Sequence, residues 1–319
     1  MMDWTDRHCR YFLRGFSPDT LLYTEMITAN AILRGDRQRL LAFDPEEHPV
    51  ALQLGGSNPR DLALAARAGE DAGYDEINLN CGCPSDRVVG GSFGACLMRQ
   101  PERVADCVAA MKLNVKVPVT VKMRIGVVTG GELNSKDAVA QFNDDDRARL
   151  IEFVRGLRDA GCDVAIVHAR KAVLGGLSPR ENREVPPLRY DVVRQLQQEF
   201  SGLPVVVNGG FREARAVREA LQWADGVMLG REAYHRPCIL AEIAGASVSR
   251  DALLDRMADY AERELAQDGR LHSITRHMLG LYSGEPGARD YRRFLSEGVR
   301  APDAGPALIR QAKVSRASL

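Results

Sequence analysis

Polar side chains recur where short, strand-like apolar runs of the sequence end. The residues at these ends are Gln53, Asn78, Asn80, Lys122, Arg124, His168, Arg170, Asn208 and Arg231. A hydrophobic strand has no reason of its own to finish so often in a hydrogen-bonding residue. If the runs are strands of one parallel barrel, their carboxyl ends converge on a single mouth, so these side chains are expected to share one site.

Glycines follow the last two runs, in Asn208-Gly209-Gly210 and in Gly230-Arg231. Backbone N–H groups at glycines can approach an anion closely, and a helix that starts there adds positive charge. Arg231 could clamp a phosphate with two N–H groups. Ordinary turn glycines are the alternative, but the combination of both turns with an arginine favours a phosphate site.

Three of the strand-end residues, Gln53, Lys122 and His168, can stabilise negative charge that develops on a ligand. Each of them alone could equally be a solvated strand end. Beside a phosphate site, however, the three form a polar floor suited to the pyrimidine edge of a flavin, which gains negative charge on reduction.

The segment Asn78-Leu79-Asn80-Cys81-Gly82-Cys83-Pro84 is the most distinctive in the chain. Cys83 lies between a glycine and a proline, which predicts a tight loop at the mouth where the thiol can meet a substrate. Cys81 and Cys83 could instead bind a metal, but a structural zinc takes four ligands and no second pair is visible. The segment therefore predicts a reactive thiol at Cys83 and no metal.

The elements that must position these residues alternate along the chain. The predicted strands are 21–26, 50–54, 76–80, 117–123, 164–168, 204–208 and 226–229. The predicted helices before and between them are 7–16, 58–73, 101–113, 144–161, 188–200 and 212–223. Beyond residue 243 only helices are predicted, at 251–267, 273–282, 289–298 and 307–312, and residues 127–145 are predicted to form a loop at the barrel rim.

This alternation predicts an α/β fold, a TIM (β/α)8 barrel followed by a small all-helical C-terminal domain. The predicted boundaries are 1–244 for the barrel and 245–319 for the helical domain. Seven strands are one too few for this barrel and helix 7–16 follows no strand, so we expect the first strand to lie upstream of Met1. A doubly wound sheet is the alternative, but the early Gly-x-Gly-x-x-Gly turn of its dinucleotide-binding versions is missing.

The composition limits location and partners. The 319 residues include 43 basic and 43 acidic side chains, so the net charge gives no general attraction to nucleic acid. No apolar run is long enough to span a membrane and no leader is visible. The seven cysteines, an odd number, are typical of reduced thiols rather than of a disulfide framework. We expect a cytoplasmic monomer that holds any RNA through a local patch.

Several motifs together resemble the tRNA-dihydrouridine synthases. Asn78-x-Asn80-x-Gly82-Cys83-Pro84, followed by Gly94-Ala95-Cys96-Leu97-Met98, is similar to the family signature. Segments 23–26, 36–43, 168–172, 230–234 and 287–289 are similar to the A subfamily. The resemblance covers nearly the whole chain. It implies an FMN-containing barrel with a helical tRNA-binding domain, in which NADPH supplies the electrons that reduce uridines 20 and 20a of the D-loop.

The resemblance also implies roles for single residues. Cys83 matches the proton donor, and Asn80 matches a substrate contact. The FMN-binding positions are matched by Met1, Met2, Gln53, Lys122, His168, Asn208, Gly209, Gly210, Gly230 and Arg231. The tRNA-orienting positions are matched by Arg180, Arg183, Arg289 and Arg292. The chain differs from the family pattern in two places: only Met1-Met2 remain of a Pro-Met-Met segment, and the loop after the Lys122 strand is longer.

The implied reaction requires a general acid and hydrogen-bond donors to the uracil ring. Hydride transfer to C6 of uracil leaves negative charge on O4 and C5, and a proton must then reach C5. An ordinary thiol is mostly protonated at neutral pH and can act as this general acid. Lys122, His168 and Arg170 would hold the ring carbonyls. The base must leave the D-loop stack to enter the pocket.

Two other functions remain open on the residues alone. An FMN barrel that reduces a small molecule would share every barrel feature. The C-terminal basic residues argue against it, since Arg289, Arg292, Arg293, Arg300, Arg310, Lys313 and Arg316 outnumber the nearby acids, although a solvated helix face would look the same. A catalytically silent RNA-binding module is the second, and Asn80 and Cys83 argue against it.

Overall fold

The computed structural model describes residues 1–84, 93–129 and 136–317. The strands are β1 (Leu22–Thr28), β2 (Val50–Gly55), β3 (Glu76–Cys81), β4 (Val119–Arg124), β5 (Val127–Thr129), β6 (Val164–His168), β7 (Ala172–Leu174), β8 (Val205–Asn208) and β9 (Gly226–Met228). The helices of the first half are α1 (Arg7–Arg14), α2 (Ala29–Arg34), α3 (Arg37–Leu40), α4 (Pro59–Asp71), α5 (Pro101–Lys112), α6 (Lys136–Ala140) and α7 (Asp144–Asp159). Those of the second half are α8 (Tyr190–Glu199), α9 (Ala214–Ala220), α10 (Arg231–His235), α11 (Cys238–Ala244), α12 (Arg250–Leu265), α13 (Leu271–Thr275), α14 (Ala288–Gly298) and α15 (Ala307–Ala317).

Seven strands form one parallel sheet in the order β1-β2-β3-β4-β6-β8-β9. The register brings their carboxyl ends level, because Asn80 is paired with Lys122, Arg124 with His168, and His168 with Asn208. The polar residues that end the strands therefore lie along a single edge of the sheet, as the sequence predicts.

Side chains on the inner face of the sheet join strands that are not neighbours. The Tyr23 hydroxyl of β1 donates to Glu76 of β3 at 2.7 Å, and Lys122 Nζ of β4 donates to Asn208 Oδ1 of β8 at 3.1 Å. The sheet is thus curled around a polar interior, in the manner of an α/β barrel.

The outer face of the same strands is apolar and packs on the helices. On β3, Ile77, Leu79 and Cys81 belong to the main hydrophobic core, whereas Asn78 and Asn80 point inward. Successive strand residues face opposite sides, so one short run supplies both the core and the site.

Three aspartates finish the opposite rim, at the amino ends of the strands. Each aspartate immediately precedes a strand, and its carboxylate accepts the first N–H of the neighbouring strand that comes earlier in the chain. Asp75 accepts from Val50 (2.6 Å), Asp163 from Val119 (2.7 Å) and Asp225 from Val205 (2.8 Å). These bonds satisfy backbone donors that the ladder leaves over. The acidic side chains at the amino ends of the strands therefore stabilise the sheet, whereas the polar side chains at the carboxyl ends form the candidate site.

The prediction of a plain loop over 127–145 is wrong in the part that the structure describes. β5 pairs in parallel with β7 as a separate two-stranded sheet, α6 follows, and α7 already begins at Asp144. Asn143 caps α7 in a reciprocal capping box with Asp146. Positions 130–135 of this predicted loop lie outside the described residues.

The remaining sheet strands agree with the prediction to within two residues at each end. The predicted helix 273–282 is wrong, because the helix there is α13, which ends at Thr275. The chain then turns so that Gly280 comes against the His235 carbonyl, where a Cβ would lie only 2.5 Å from the oxygen. This long-range approach has no local signal in the sequence.

The C-terminal helices share a second hydrophobic core with the start of the chain. Tyr11 and Phe12 of α1 are buried in this core with residues of α12 to α15, and the Tyr11 ring stacks on Tyr260 with centroids 4.0 Å apart. The helical C-terminal region is thus present as predicted. Division of the chain at residue 244 stays a prediction. Across the described residues, the helices are all too short or too polar to cross a membrane.

Candidate active site at the barrel mouth

Amide and hydroxyl side chains form a continuous hydrogen-bonded chain inside the barrel. Asn80 Nδ2 donates to Gln53 Oε1 and Gln53 Nε2 donates to Asn78 Oδ1, each at 2.8 Å. Asn78 Nδ2 donates to the Thr120 hydroxyl at 2.8 Å, which donates to Glu76 at 2.6 Å. The carboxylate at the end of this chain can only accept, so every hydrogen bond in the chain has to point toward it. The side-chain amides of Gln53 and Asn80 are therefore each held in one orientation.

Asn80 in turn holds the loop that carries Cys83. Its Oδ1 accepts the backbone N–H of Gly82 at 3.1 Å and that of Cys83 at 3.0 Å. The Cys83 carbonyl accepts the N–H of Ala95 at 2.9 Å, so the loop is bound on both sides. Cys83 is partly exposed at the mouth, as the sequence predicts.

Cys81 faces the other way. It is fully buried in the outer core, and burial raises the pKa of its thiol well above the ordinary value. Cys81 thus packs in the core outside the sheet, whereas Cys83 lies in the loop at the mouth. The absence of a metal stays a prediction.

Lys122 is fixed at the centre of the mouth by Asn208. Lys122 Nζ donates to Asn208 Oδ1, while Asn208 Nδ2 donates to the Met228 carbonyl at 2.7 Å. Burial, reinforced by the charge of Arg124, lowers the pKa of Lys122 to about 8. Lys122 is therefore mostly charged at neutral pH, and it loses its proton when the pH rises above about 8.

His168 is neutral at neutral pH. Burial lowers its pKa well below the ordinary value, and the positive charges of Arg124, Lys122 and Arg170 lower it further. The ring can therefore donate one N–H and accept at its other nitrogen, but it brings no charge to the site.

The turn after β8 can hold an anion only because it is made of glycines. Gly209 and Gly210 have φ values of +115° and +78°, and a Cβ on Gly209 would lie 2.6 Å from the His168 ring. The described residues supply no acceptor for the N–H groups of Gly209, Gly210 or Gly230. These donors fit a phosphate.

The positive charge beside this turn comes from arginine. α10, which begins at Arg231, has only five residues, so the helix-dipole contribution predicted from the sequence is small. Arg231 Nη1 donates to Glu184 Oε1 at 2.9 Å and keeps its other nitrogens for a second acceptor. The fork of a guanidinium can serve a carboxylate and a phosphate together.

Further cations surround the mouth. Arg170 Nη1 donates to the carbonyls of Glu184 and Pro186, and Arg170 Nε is buried with no acceptor among the described residues. Arg183 is exposed, and burial of its inner part together with the Arg231 charge lowers its pKa. Arg180 is exposed and pairs weakly with Glu184 at 3.8 Å.

Met1 lies at the same edge. Its sulfur is 3.4 Å from the position of a Cβ on Gly230, and its amine interacts with Glu25 of β1. Met1 is thus next to the turn after β9, whereas the Met2 side chain is largely exposed.

Arg289 and Arg292 lie apart from the mouth, three residues apart on the exposed side of α14. The C-terminal basic surplus is smaller than the sequence suggests. Lys313 pairs with Asp255 and Arg310 with Glu262, both acids of α12, at 2.6 and 2.7 Å. The acidic partners of Lys313 and Arg310 lie on an earlier helix, so they are not among the acids close to these residues in sequence.

One residue of the site, Asn182, was not predicted from the sequence, and Arg124 was predicted only as a polar strand end. Arg124, two positions after Lys122, shares its face of β4 and is buried at the mouth. Asn182 is fully buried beneath the arginine-bearing loop. Nothing in a loop sequence distinguishes a buried asparagine from an exposed one.

A curled parallel sheet with a thiol loop, a lysine and a glycine-built anion cradle at its carboxyl edge is the arrangement of an α/β-barrel enzyme. A sequence model of the dihydrouridine synthase family matches residues 1–317, and the chain belongs to that family.

Curated relatives are similar over nearly the whole length. A tRNA-dihydrouridine(20/20a) synthase of Pseudomonas aeruginosa is 54% identical over 306 residues, which cover 94% of this chain and 88% of that protein. Proteins of the same name from Xanthomonas axonopodis pv. citri and Synechocystis are 53% and 51% identical, and each alignment covers 98% of this chain and 91% of the relative.

Proposed function

We propose that this protein reduces uridine to 5,6-dihydrouridine at positions 20 and 20a of the tRNA D-loop, with FMN as cofactor and NADPH as reductant. The similar proteins, which are named tRNA-dihydrouridine(20/20a) synthases, support this substrate. The observation that carries the chemistry is the placement of the Cys83 loop, held by Asn80, beside Lys122 at the mouth.

The residues present fit an FMN. The N–H groups of Gly209, Gly210 and Gly230 together with Arg231 would bind its phosphate, and Met1 and Met2 would contact it at the same edge. A further set of polar groups would face the pyrimidine edge of its ring: Gln53, Lys122, His168 and Asn208. When bound and reduced, the flavin supplies the hydride.

Cys83 would act as the general acid that delivers a proton to C5 of the base. Asn80 holds this loop by its oxygen and has its Nδ2 group turned to Gln53, so any contact it makes with the base is as an N–H donor. Lys122, His168 and Arg170 are also donors, which suits a uracil whose O4 gains negative charge.

The tRNA would be held at two separate places. Arg180 and Arg183 lie by the mouth, while Arg289 and Arg292 lie on α14. Contacts to the RNA backbone at both places would orient the D-loop and offset the cost of turning the base out of its stack. One copy of the chain carries both places, which supports a monomer, and seven reduced thiols support a reducing, cytoplasmic setting.

The test is reduction of unmodified tRNA by the FMN-loaded protein with NADPH, followed by mass spectrometry of D-loop fragments. We expect a mass increase of two hydrogens at positions 20 and 20a. Reduction of a free pyrimidine or an enone, with unmodified tRNA left intact, would instead favour the small-molecule reductase. Tight tRNA binding without any reduction would favour the silent RNA-binding module.

A further inference from the structure

The buried guanidinium of Arg124 joins three separate segments of the chain. Its Nε donates to the carbonyl of Gly82 at 3.2 Å. Its Nη1 donates to the carbonyl of Lys171 at 3.2 Å and to that of Asn182 at 3.0 Å. A charged group that is only 4% exposed must be well paired to be tolerated, and here the partners are all backbone oxygens.

Each of the three carbonyls lies next to a group of the proposed site. Gly82 directly precedes Cys83, and Lys171 directly follows Arg170. Asn182 directly precedes Arg183, in the segment 177–184 that we call the arginine loop. Arg124 therefore connects the proton donor to the arginines proposed to orient the RNA.

The far ends of two of these connections are fixed in their own right. Asn182 Oδ1 accepts the N–H of Val173 at 2.7 Å, and its Nδ2 donates to the carbonyls of Val173 and Leu177 at 3.0 and 3.1 Å. The arginine loop is thus anchored to β7. Arg124 Nη1 then reaches a carbonyl that cannot easily move.

The Lys171 connection extends to α6 and to the first turn of α7. Lys171 Nζ donates to Asp146 Oδ2 at 2.6 Å and to the Ala138 carbonyl at 2.9 Å. The described part of the lengthened loop after β4 is therefore attached to the same network through a buried lysine.

We propose that Arg124 is a positioning residue, which sets the place of Cys83 relative to the arginine loop without touching the substrate. The inference deepens the proposed function and rests on it. A planar guanidinium can bind three carbonyls in divergent directions, whereas a lysine ammonium offers a point charge on a flexible stem. Arg124 therefore acts through geometry, and conservation of its charge alone should not replace it.

The test compares Arg124→Lys with Arg14→Lys. Arg14 is a matched control, because it is also buried and donates to backbone carbonyls, those of Ser17, Pro18, Glu47 and Pro49, far from the mouth. Alkylation by iodoacetamide is followed at each cysteine by peptide mass spectrometry. Steady-state kinetics with tRNA and the melting temperature are measured on the same FMN-loaded proteins.

We expect Arg124→Lys to alkylate several-fold faster than the wild type at Cys83 but not at Cys96 or Cys238, because the loop loses its anchor. With tRNA, kcat should fall by roughly 100-fold while KM changes little, as expected for a misplaced reacting group. Arg14→Lys should lower the melting temperature and leave both readouts unchanged. Equal changes in the two variants, or none in Arg124→Lys, would overturn the proposal.

A second variant keeps the proposal testable if Arg124→Lys does not fold. Asn182→Ala removes the anchor of the arginine loop without touching the Cys83 loop, and we expect it too to speed alkylation of Cys83. An unchanged rate would contradict the connection through Arg124. Failure of the proposed function would look different: a Cys83→Ala variant that reduces uridine at the normal rate would remove the acid role and leave the alkylation comparison intact.

Discussion

The backbone of the Cys83 loop is held by a neutral amide, the side chain of Asn80. Asn80 binds the Cys83 loop with its oxygen, and its own orientation is set by a hydrogen-bonded chain that ends on Glu76 at the base of the barrel. The thiol is thereby presented in a fixed place, as a proton donor requires.

Replacement of Cys83 by Ala should lower the rate of uridine reduction by roughly 10²- to 10⁴-fold, the usual contribution of a general acid. Reduction of bound flavin by NADPH should be unaffected, because no proton to C5 is involved in that step. Stopped-flow absorbance measures the first half and dihydrouridine formation the second. Cys81→Ala and Cys96→Ala are the controls, and an equal loss in either would mean that another thiol is the acid.

The charge of Lys122 predicts a pH dependence. Its pKa is lowered to about 8, so the side chain is positive below this pH and neutral above it. Reduction of the bound flavin by NADPH should slow as the pH rises through about 8, because negative charge on the reduced ring loses its partner. Lys122→Gln should be slow throughout and show no such inflection. A wild-type profile that stays flat across this range would contradict the assignment.

Single residues were predicted well where the strand period places them. Gln53, Asn80, Lys122, His168 and Asn208 follow from the rule that polar strand ends meet at one mouth. The same rule places Arg124 at the mouth, but it gives Arg124 no role and does not indicate Asn182, because their importance lies in which carbonyls they reach across the fold. Those contacts depend on residues 42 to 58 positions away along the chain.

At the scale of elements, the turns after β8 and β9 carry the cofactor prediction. Arg231→Ala should reduce the FMN retained after purification, since it removes the charge beside the glycine N–H groups. Arg236→Ala is the control, because Arg236 is nearby but paired with Glu232 and Glu242. The ratio of flavin to protein absorbance measures the effect, and equal ratios for Arg231→Ala and the wild type would remove the phosphate assignment.

The amino-end rim makes the opposite prediction, for stability without function. Asp225→Ala should leave the N–H of the buried Val205 without an acceptor, at a cost of about 1–3 kcal/mol in the free energy of unfolding. Flavin retention should not change, because this rim lies at the other end of the strands. Urea unfolding measures the first quantity, and loss of flavin from the folded variant would show that the two rims are not independent.

The boundaries of elements could be predicted where a clear strand pattern or a helix-capping residue marks the end. The strand β6 was predicted residue for residue, and Asn58 and Asn143 cap their helices through their side chains. The β5–β7 sheet was not predicted, since two three-residue strands carry too short a pattern to distinguish from loops.

At the scale of the whole molecule, the arginines by the mouth and those on α14 should contribute to tRNA binding and not to reduction of the flavin. Arg289 and Arg292 changed together to Glu should weaken tRNA binding severely and reduce its salt slope by about two units. Reduction of bound FMN by NADPH should be unchanged. Binding is measured as a function of salt concentration.

The matched control for this change is Arg155 and Arg158 on α7. They have the same spacing, are exposed on the outside of the barrel, and alter the net charge equally when changed to Glu. If this control weakens tRNA binding as much as the α14 variant, the effect is general repulsion and α14 is not a contact.

The helical region could be predicted from the end of the strand pattern, but its core could not. Tyr260 stacks on Tyr11 of α1, which lies more than two hundred residues earlier, and no local pattern shows such a partner.

This shared core has a consequence for how the chain is made. α1 leaves the ribosome well before α12, on which Tyr11 stacks, because more than 230 residues separate the two helices. At about 5–20 residues per second, the apolar side of α1 waits on the order of 10 to 50 seconds for its partner. The barrel strands can pair during that time, so packing of α12 on α1 should be a late step of folding during synthesis. Until then the nascent chain should carry an exposed aromatic helix that chaperones can bind.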